Sequence, residues 1–505
     1  MADRDPGDRR RWWAAFGVIA GLGVIWALAI PVFAAPDEPA HVIRAVAAAH
    51  GQLLGDEFGP GNVPPYPVPV DKEPWKSGLA VRVPGVYREW GNVDCIVFAW
   101  NAQATADCLH LTGPSGDRRA LTNVGRYPPA YYLVTGAVSW LTHPGDSQVY
   151  AMRILSALLC AALVASAVVT VLTRTSRPVA RLGLVAAFTP MTLFLFGTVN
   201  ANSIEIAAGI AMWVHGAVLA TSKPDEHDGR VLDRFGIAAV VLVLSRPGSV
   251  LWLILAVGIL ALVAGRATVA SWWRWTRARI WAAGAAAAAV VQLAWFAYAD
   301  TLDVRRAFIA VPIDAPFRED VARSFGREFR WLREMVGVFG WLDTRAPTAV
   351  LVVWIAGLAI LLGFALVGAP RRAAIGTGLV LAACALVPVA FQLRLADTVG
   401  YFWQGRYLLP FAAGLPVLAG IGAAHGTRRS RREPLVVATV ATALCAAQWL
   451  ALAQVLRRYS VGSRGAVWFF PEARWDPPVP SLVLLLGAAA LLAVIARTAA
   501  SANRP

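Results

Sequence analysis

Long apolar runs separated by short arginine-rich patches set the organisation of this chain. They cover about residues 12–33, 149–173, 181–198, 202–220, 233–245, 249–265, 277–299, 348–368, 373–391, 405–424, 433–456 and 479–497. A hydrocarbon core roughly 30 Å thick needs about 20 apolar residues per helical crossing, and only a helix satisfies its own backbone where water is absent. The pattern therefore predicts an all-α polytopic integral membrane protein with about 12 transmembrane helices, within a range of 11–13. A further segment, 128–142, is short, opens on Pro128 and Pro129, and either crosses or lies along the interface.

Charge decides between those readings. If 128–142 does not cross, the loops carrying Arg174, Arg177 and Arg181, then Lys223, Arg230 and Arg234, then Arg266, Arg274, Arg277 and Arg279 share the N-terminal side. The loops with Arg371 and Arg372, and with Arg428, Arg429, Arg431 and Arg432, join them there. Basic short loops mark the cytoplasmic side, so 128–142 is expected to be a juxtamembrane or re-entrant helix. The expected plan is a cytoplasmic N-terminus 1–11, a first span 12–33, a large extracytoplasmic loop 34–148 and a bundle 149–299. An outer loop 300–347, a second bundle 348–497 and a cytoplasmic tail 498–505 complete it, with a smaller outer segment at 457–478. Loop 300–347 carries eight Arg against eight Asp plus Glu, a neutrality that suits the outside. Within it Val321, Phe325, Phe329, Leu332 and Val336 recur at helical spacing, predicting an interfacial amphipathic helix.

Composition agrees with a membrane protein and narrows the partners. The 505 residues are 57% hydrophobic and 15% charged, with mean hydropathy +0.56, against about 25% charged in a soluble domain. A formal charge of +15 would suggest nucleic acid in a soluble chain. Here the arginines occupy short loops where they orient helices, so no nucleic-acid partner is expected and membrane lipids are. The stretch from Trp12 to Phe33 is longer than a signal-peptide core and reads as a retained span. Cys95 and Cys108 share the long polar loop, where a disulfide is expected if that loop is extracytoplasmic.

The sharpest candidate chemistry follows the first span, in Pro36-Asp37-Glu38-Pro39-Ala40-His41 and then Arg44. Pro36 ends one helix, and Asp37 is well placed as N-cap of a second helix over 38–50 with Pro39 in its first turn. Such a cap, worth about 1 kcal/mol, would explain Asp37 without any catalysis. The gathering of two acids, an imidazole and an arginine at a membrane boundary weighs the other way, because such groups are costly there unless solvated or used. Glu38 and His41 form ExxH, but without a second copy a metal site is not expected. At other outer helix ends lie Asn200, Asn202 and Glu205, then Arg246 in SRPG, Gln404 and Arg406 in QGRY, and Arg126 and Tyr127 in RYPP. One arginine there is ordinary snorkelling; several at one leaflet would offer planar forks to a phosphate. There is no P-loop, no GxGxxG after a strand, no GxSxG and no cysteine cluster.

The strings PDEPAH, RYPPAYYL, TPMTLFLFGTVNANS, FGWLDTRAP and QGRYLLPF together resemble the bacterial predicted membrane protein family known as domain of unknown function 2142. The resemblance runs from about residue 12 to 424. That family is in turn similar to the GT-C superfamily of membrane glycosyltransferases, which use polyprenyl-phosphate sugars and place an acid just after the first helix. The resemblance implies Asp37 as catalytic base with Glu38 as its neighbour, and Arg126 and Arg406 as ligands of the donor phosphate. Where an acid would be expected in the break between the spans 181–198 and 202–220, this chain has Asn200-Ala201-Asn202, so that role would pass to Glu205 or be lacking. The implied activity is an inverting transfer of a sugar from a polyprenyl-phosphate donor to a cell-envelope glycan or lipid acceptor. No cofactor is called for, and participation of a divalent metal is left open. The alternatives are a lipid-linked glycan transporter or flippase, and a non-catalytic subunit of an envelope-polysaccharide complex. Paired broken helices at midplane would mark a transporter; the polar groups here gather at one face.

Overall fold

The computed structural model describes residues 6–57, 78–87, 93, 95–97, 103–109, 111–223, 228–303, 313, 315–428 and 430–501. Residues 58–77 of the loop expected to line an acceptor cleft, 304–312 of the second outer loop, Arg429 and the extreme termini lie outside these described residues.

The first span is α1, Pro6–Ala29, and the segment after it folds into α2, Glu38–Ala49. The 128–142 segment forms α3, Ala130–Gly136, continued by a single 3₁₀ turn, Ala137–Trp140. Seven α-helical residues rise only about 10 Å, too little to cross. It lies on α2 instead, so closely that a Cβ at Gly136 would meet Ala45 O at 2.0 Å.

The remaining crossings are α4 (Asp146–Arg174), the pair α5 (Pro178–Ala187) and α6 (Pro190–Phe196), α7 (Ala201–Thr221), α8 (Gly229–Ser245), α9 (Ser249–Arg274) and α10 (Thr276–Ala299). After the second outer loop come α13 (Thr348–Gly368), α14 (Arg371–Val399), α15 (Gly405–His425), α16 (Glu433–Val461) and α17 (Ser481–Ala500). Among the described residues ten helices are long and apolar enough to cross a membrane, or 11 with the bent α5–α6 pair. The 17-residue α8 occupies the remaining expected position. Local chemistry explains the breaks. Thr189 is extended ahead of Pro190, as the residue before proline must be, and its side chain caps α6; the pair bends by 61° there. Asn200 caps α7 and Asp228 caps α8 through their side chains. Helix α9 kinks at Gly265, where the apolar run ended, with a φ of 76° that glycine accepts freely.

The helices alternate direction. Asp8 near the start of α1 pairs with Arg230 in the first turn of α8, Arg174 at the end of α4 pairs with Asp228, and Arg181 bonds Thr498 near the end of α17. Both chain ends therefore share one face, and the breaks around residues 30–37, 197–200, 246–248 and 400–405 share the other. Helices α7 and α15 are almost wholly enclosed by their neighbours, with Phe411 edge-to-face against Trp213 and stacked on Trp252 of α9.

Two features depart from the sequence expectations. The amphipathic stretch of the second outer loop is not one helix but two, α11 (Phe317–Phe325) and α12 (Glu328–Gly337), interrupted at Gly326 and Arg327. Phe317, Phe325 and Phe329 are exposed as expected of a lipid-facing side, whereas α12 turns Trp331, Glu334 and Val336 into the protein. A small antiparallel sheet also caps the far face: β1 (Asp56–Glu57), β2 (Leu79–Pro84) and β3 (Asp117–Thr122), in that order. Leu79 pairs with Thr122, and the Thr122 hydroxyl donates to Ala40 O on α2 at 2.8 Å. Beside it Cys95 and Cys108 form a disulfide, and Arg458 at the end of α16 donates to Ile96 O at 3.1 Å.

Candidate active site

From Pro31 to Ala48 every residue is buried except Asp37. Its conformation explains why. Asp37 is left-handed, with φ 60° and ψ 4°, and makes no side-chain cap bond; aspartate is among the few residues that tolerate this region. Asp37 therefore holds the expected N-cap position of α2 but leaves the side-chain capping bond unmade. Its carboxylate accepts from the Arg406 Nη2 of QGRY, and its side chain keeps 30% exposure while that of Arg406 keeps 3%. Burial acts most strongly on the Asp37 pKa and raises it, but the charge and hydrogen bond of Arg406, together with His41 and Arg246, hold the carboxyl below its ordinary range. Arg406 also donates to Pro36 O at 3.4 Å, and its Nε, buried, has no partner.

Arg246 completes the pair of cations. Its Nη1 donates to Glu205 Oε2 at 3.1 Å and its Nη2 reaches the Tyr127 hydroxyl at 3.5 Å. Glu205 is held in turn by Asn202 Nδ2 at 2.9 Å and by the Ser249 hydroxyl at 2.8 Å. The acid one turn into α7 thus fixes an arginine and is itself held by three donors. Both guanidiniums lie over the Tyr407 ring, Arg246 at 4.9 Å and Arg406 at 5.3 Å from its centroid, and the Arg246 Nε is also buried without a partner. Two cations against one aromatic ring, each with an unused buried donor, make a site suited to an anion.

His41 adjoins this cluster. Its Nδ1 lies 2.8 Å from the Tyr132 hydroxyl, with the two rings stacked. Burial, then the two arginines, push its pKa down to about 3 against the opposing pull of Asp37, so the imidazole is neutral near pH 7.

Other candidates are drawn into structural work. The Glu38 carboxylate is completely buried and takes four bonds: Arg153 Nε at 2.7 Å, Arg153 Nη2 at 2.5 Å, Phe33 N at 3.1 Å and Val199 N at 3.0 Å. Arg153 spends its remaining donors on Ala27, Ile30 and Pro31 carbonyls at the end of α1. Adjacent in sequence, the two acids are separated in role, so the catalytic assignment of Glu38 is corrected: it is saturated and enclosed. Arg126 donates to Ala299 O at 2.7 Å and to Glu57 at 3.2 Å, and its buried Nε has no partner. Arg44 is buried against Gln52 O, Tyr127 O and the Tyr132 and Trp295 rings. The Gln404 carbonyl accepts from Tyr407 N, and its side-chain oxygen is buried without a partner.

Three contributors escaped the sequence reading. Arg153 announced itself only as a lone charge near the start of an apolar segment, a signal worth heeding in any membrane span. Tyr407 followed an arginine that drew the attention. Glu334 of α12 accepts from Gly405 N at 2.7 Å and holds QGRY in place; nothing in the amphipathic pattern of its helix marks it. Among the described residues no group of three or more His, Cys, Asp or Glu could hold a metal ion.

A helical bundle with 10 or 11 candidate spans among the described residues, and a buried charged cluster at the face opposite its ends, defines a polytopic integral membrane protein. The chain belongs to the family described as Predicted membrane protein (DUF2142), which matches residues 20–415. Among solved structures it is similar to ArnT from Cupriavidus metallidurans bound to undecaprenyl phosphate, at 15% identity and TM-score 0.41, over 96% of this chain and 77% of that one. It is also similar to ArnT from Cupriavidus metallidurans in the apo state, at 18% identity and TM-score 0.38, over 74% and 67% of the respective chains. No curated protein matches the chain.

Proposed function

We propose that this protein is an inverting glycosyltransferase of the membrane, moving a sugar from a polyprenyl-phosphate donor to a hydroxyl of a cell-envelope glycan or lipid. One observation carries the reading: a partly exposed carboxylate, Asp37, touches an arginine that shares an aromatic platform with a second arginine. In the proposed step Asp37 takes the proton of the acceptor hydroxyl as its oxygen attacks the anomeric carbon. The bond from that carbon to the phosphate oxygen breaks, and the electron pair stays on the phosphate. Arg406 and Arg246 stabilise that charge where it develops, which is where fixed cations accelerate a reaction most. Neutral His41 adds no competing charge. As the phosphate engages Arg406, the hold of that guanidinium on Asp37 weakens and the carboxylate becomes a better base.

The test is transfer from a synthetic polyprenyl-phosphate sugar in reconstituted vesicles. Asp37→Asn, which keeps an acceptor for Arg406, is expected to lower turnover by about 10²–10⁴, the usual contribution of a general base, a loss that far exceeds any loss of folded protein. Undiminished turnover in that variant would remove Asp37 as base, and turnover absent from the native chain with every envelope acceptor tried would count against a transferase.

A further inference from the structure

A cavity of about 260 Å³ lies at the other end of the molecule, among α1, α4, α5, α16 and α17. Its walls are apolar side chains such as Ala15, Leu22, Val168, Leu184, Leu444 and Ile495. Val494, which also lines it, is 47% exposed, so the cavity reaches the outer surface of the bundle, where lipid lies. Two cations, Arg11 and Arg181, complete the lining. Both belong to the face of the chain ends: Arg11 is in the second turn of α1, and Arg181, in the first turn of α5, donates through Nη1 to Thr498 O at 3.1 Å and to the carbonyl and hydroxyl of Ser501. The Arg11 side chain keeps 54% exposure. Its nearest acid, Asp8 at 3.5 Å, is shared with Arg230 at 3.7 Å and so does not neutralise it.

An apolar slot open to the bilayer with guanidinium groups at one end has the polarity of a phospholipid. A basic pocket between helices on the arginine-rich face is a recurrent means of holding an anionic headgroup. We propose that this cavity binds one acyl chain of an anionic phospholipid, whose phosphate is held by Arg11 and Arg181. The inference is independent of the transferase reading, because none of these residues belongs to the Asp37 cluster.

Native mass spectrometry of the full chain, delipidated in detergent and titrated with phosphatidylglycerol or phosphatidylcholine of matched acyl chains, tests it. One phosphatidylglycerol per chain is expected to be retained in preference to phosphatidylcholine. Arg11→Gln is expected to weaken that binding about fivefold, the effect of one arginine near an anionic lipid surface. Ala15→Trp, which fills the slot, is expected to abolish it. Equal retention of the two lipids by the native chain, or phosphatidylglycerol binding unaltered in both variants, would overturn the proposal.

Discussion

Asp37 is a carboxylate placed where its charge is stabilised but not consumed. Glu38 and Glu205 are each enclosed by at least three donors, whereas Asp37 keeps one guanidinium and an open edge. That difference gives a pH signature. The Asp37 pKa is lowered, so the base form exists throughout the range above an ordinary carboxylate value and is lost only at more acid pH. His41, at about 3, stays neutral over the same range. Under the proposed reaction, kcat/KM is therefore expected to stay flat between pH 5 and about 7, without an inflection near the free histidine value of about 6.5. An inflection there that disappears in His41→Gln would show a titrating imidazole and sink this assignment. Stability should move in the same region for a different reason. A histidine buried neutral has its folded pKa below its unfolded one, so the unfolded chain binds the proton first and stability declines as pH falls below about 6.5.

At the scale of elements, the QGRY turn is set by α12 rather than by its own sequence. Gly405 approaches α12 so closely that a Cβ would meet Trp331 O at 2.2 Å and Met335 N at 3.0 Å, and its N–H donates to Glu334. Gly405→Ala must push α15 away from α12, and Arg406 moves with it. Expected is a destabilisation of about 1–3 kcal/mol, as for overpacking elsewhere, with a loss of transfer that exceeds the loss of folded protein. A variant with native melting temperature and native transfer would contradict the close approach. This contact also shows the limit of pattern reading. The helical spacing of apolar residues over 321–336 revealed a helix and its exposed phenylalanines, but not the break at Gly326 or the inward turn of Glu334, because periodicity reports one helix face and not what packs against it.

At the scale of the molecule, the Glu38–Arg153 pair joins the end of α1, the 30–37 segment, α4 and the turn before α7. It is the buried frame on which the left-handed Asp37 rests. Removing one partner leaves the other charge uncompensated, so Glu38→Gln or Arg153→Leu is expected to cost about 3–5 kcal/mol, read as a fall in melting temperature in detergent. If Glu38→Gln melts like the native protein but transfers nothing, Glu38 acts in the chemistry and the structural role argued above is wrong.

Much of this protein was determined by sequence alone: the helical crossings, the short 128–142 segment, the shared side of the chain ends, and the gathering of Asp37, Arg246 and Arg406 at the opposite face. Those follow from the bilayer, which forces apolar length, internal backbone bonding and charge bias into the linear order of residues. Tertiary structure alone decided which polar groups meet. Residues 37 and 406 are 369 apart in the chain, and the adjacent acids Asp37 and Glu38 part company because a left-handed backbone at one of them sends the carboxylates to different arginines. A carboxylate is identified as reactive or structural by how many donors surround it, and that number is a property of packing, invisible in the order of residues.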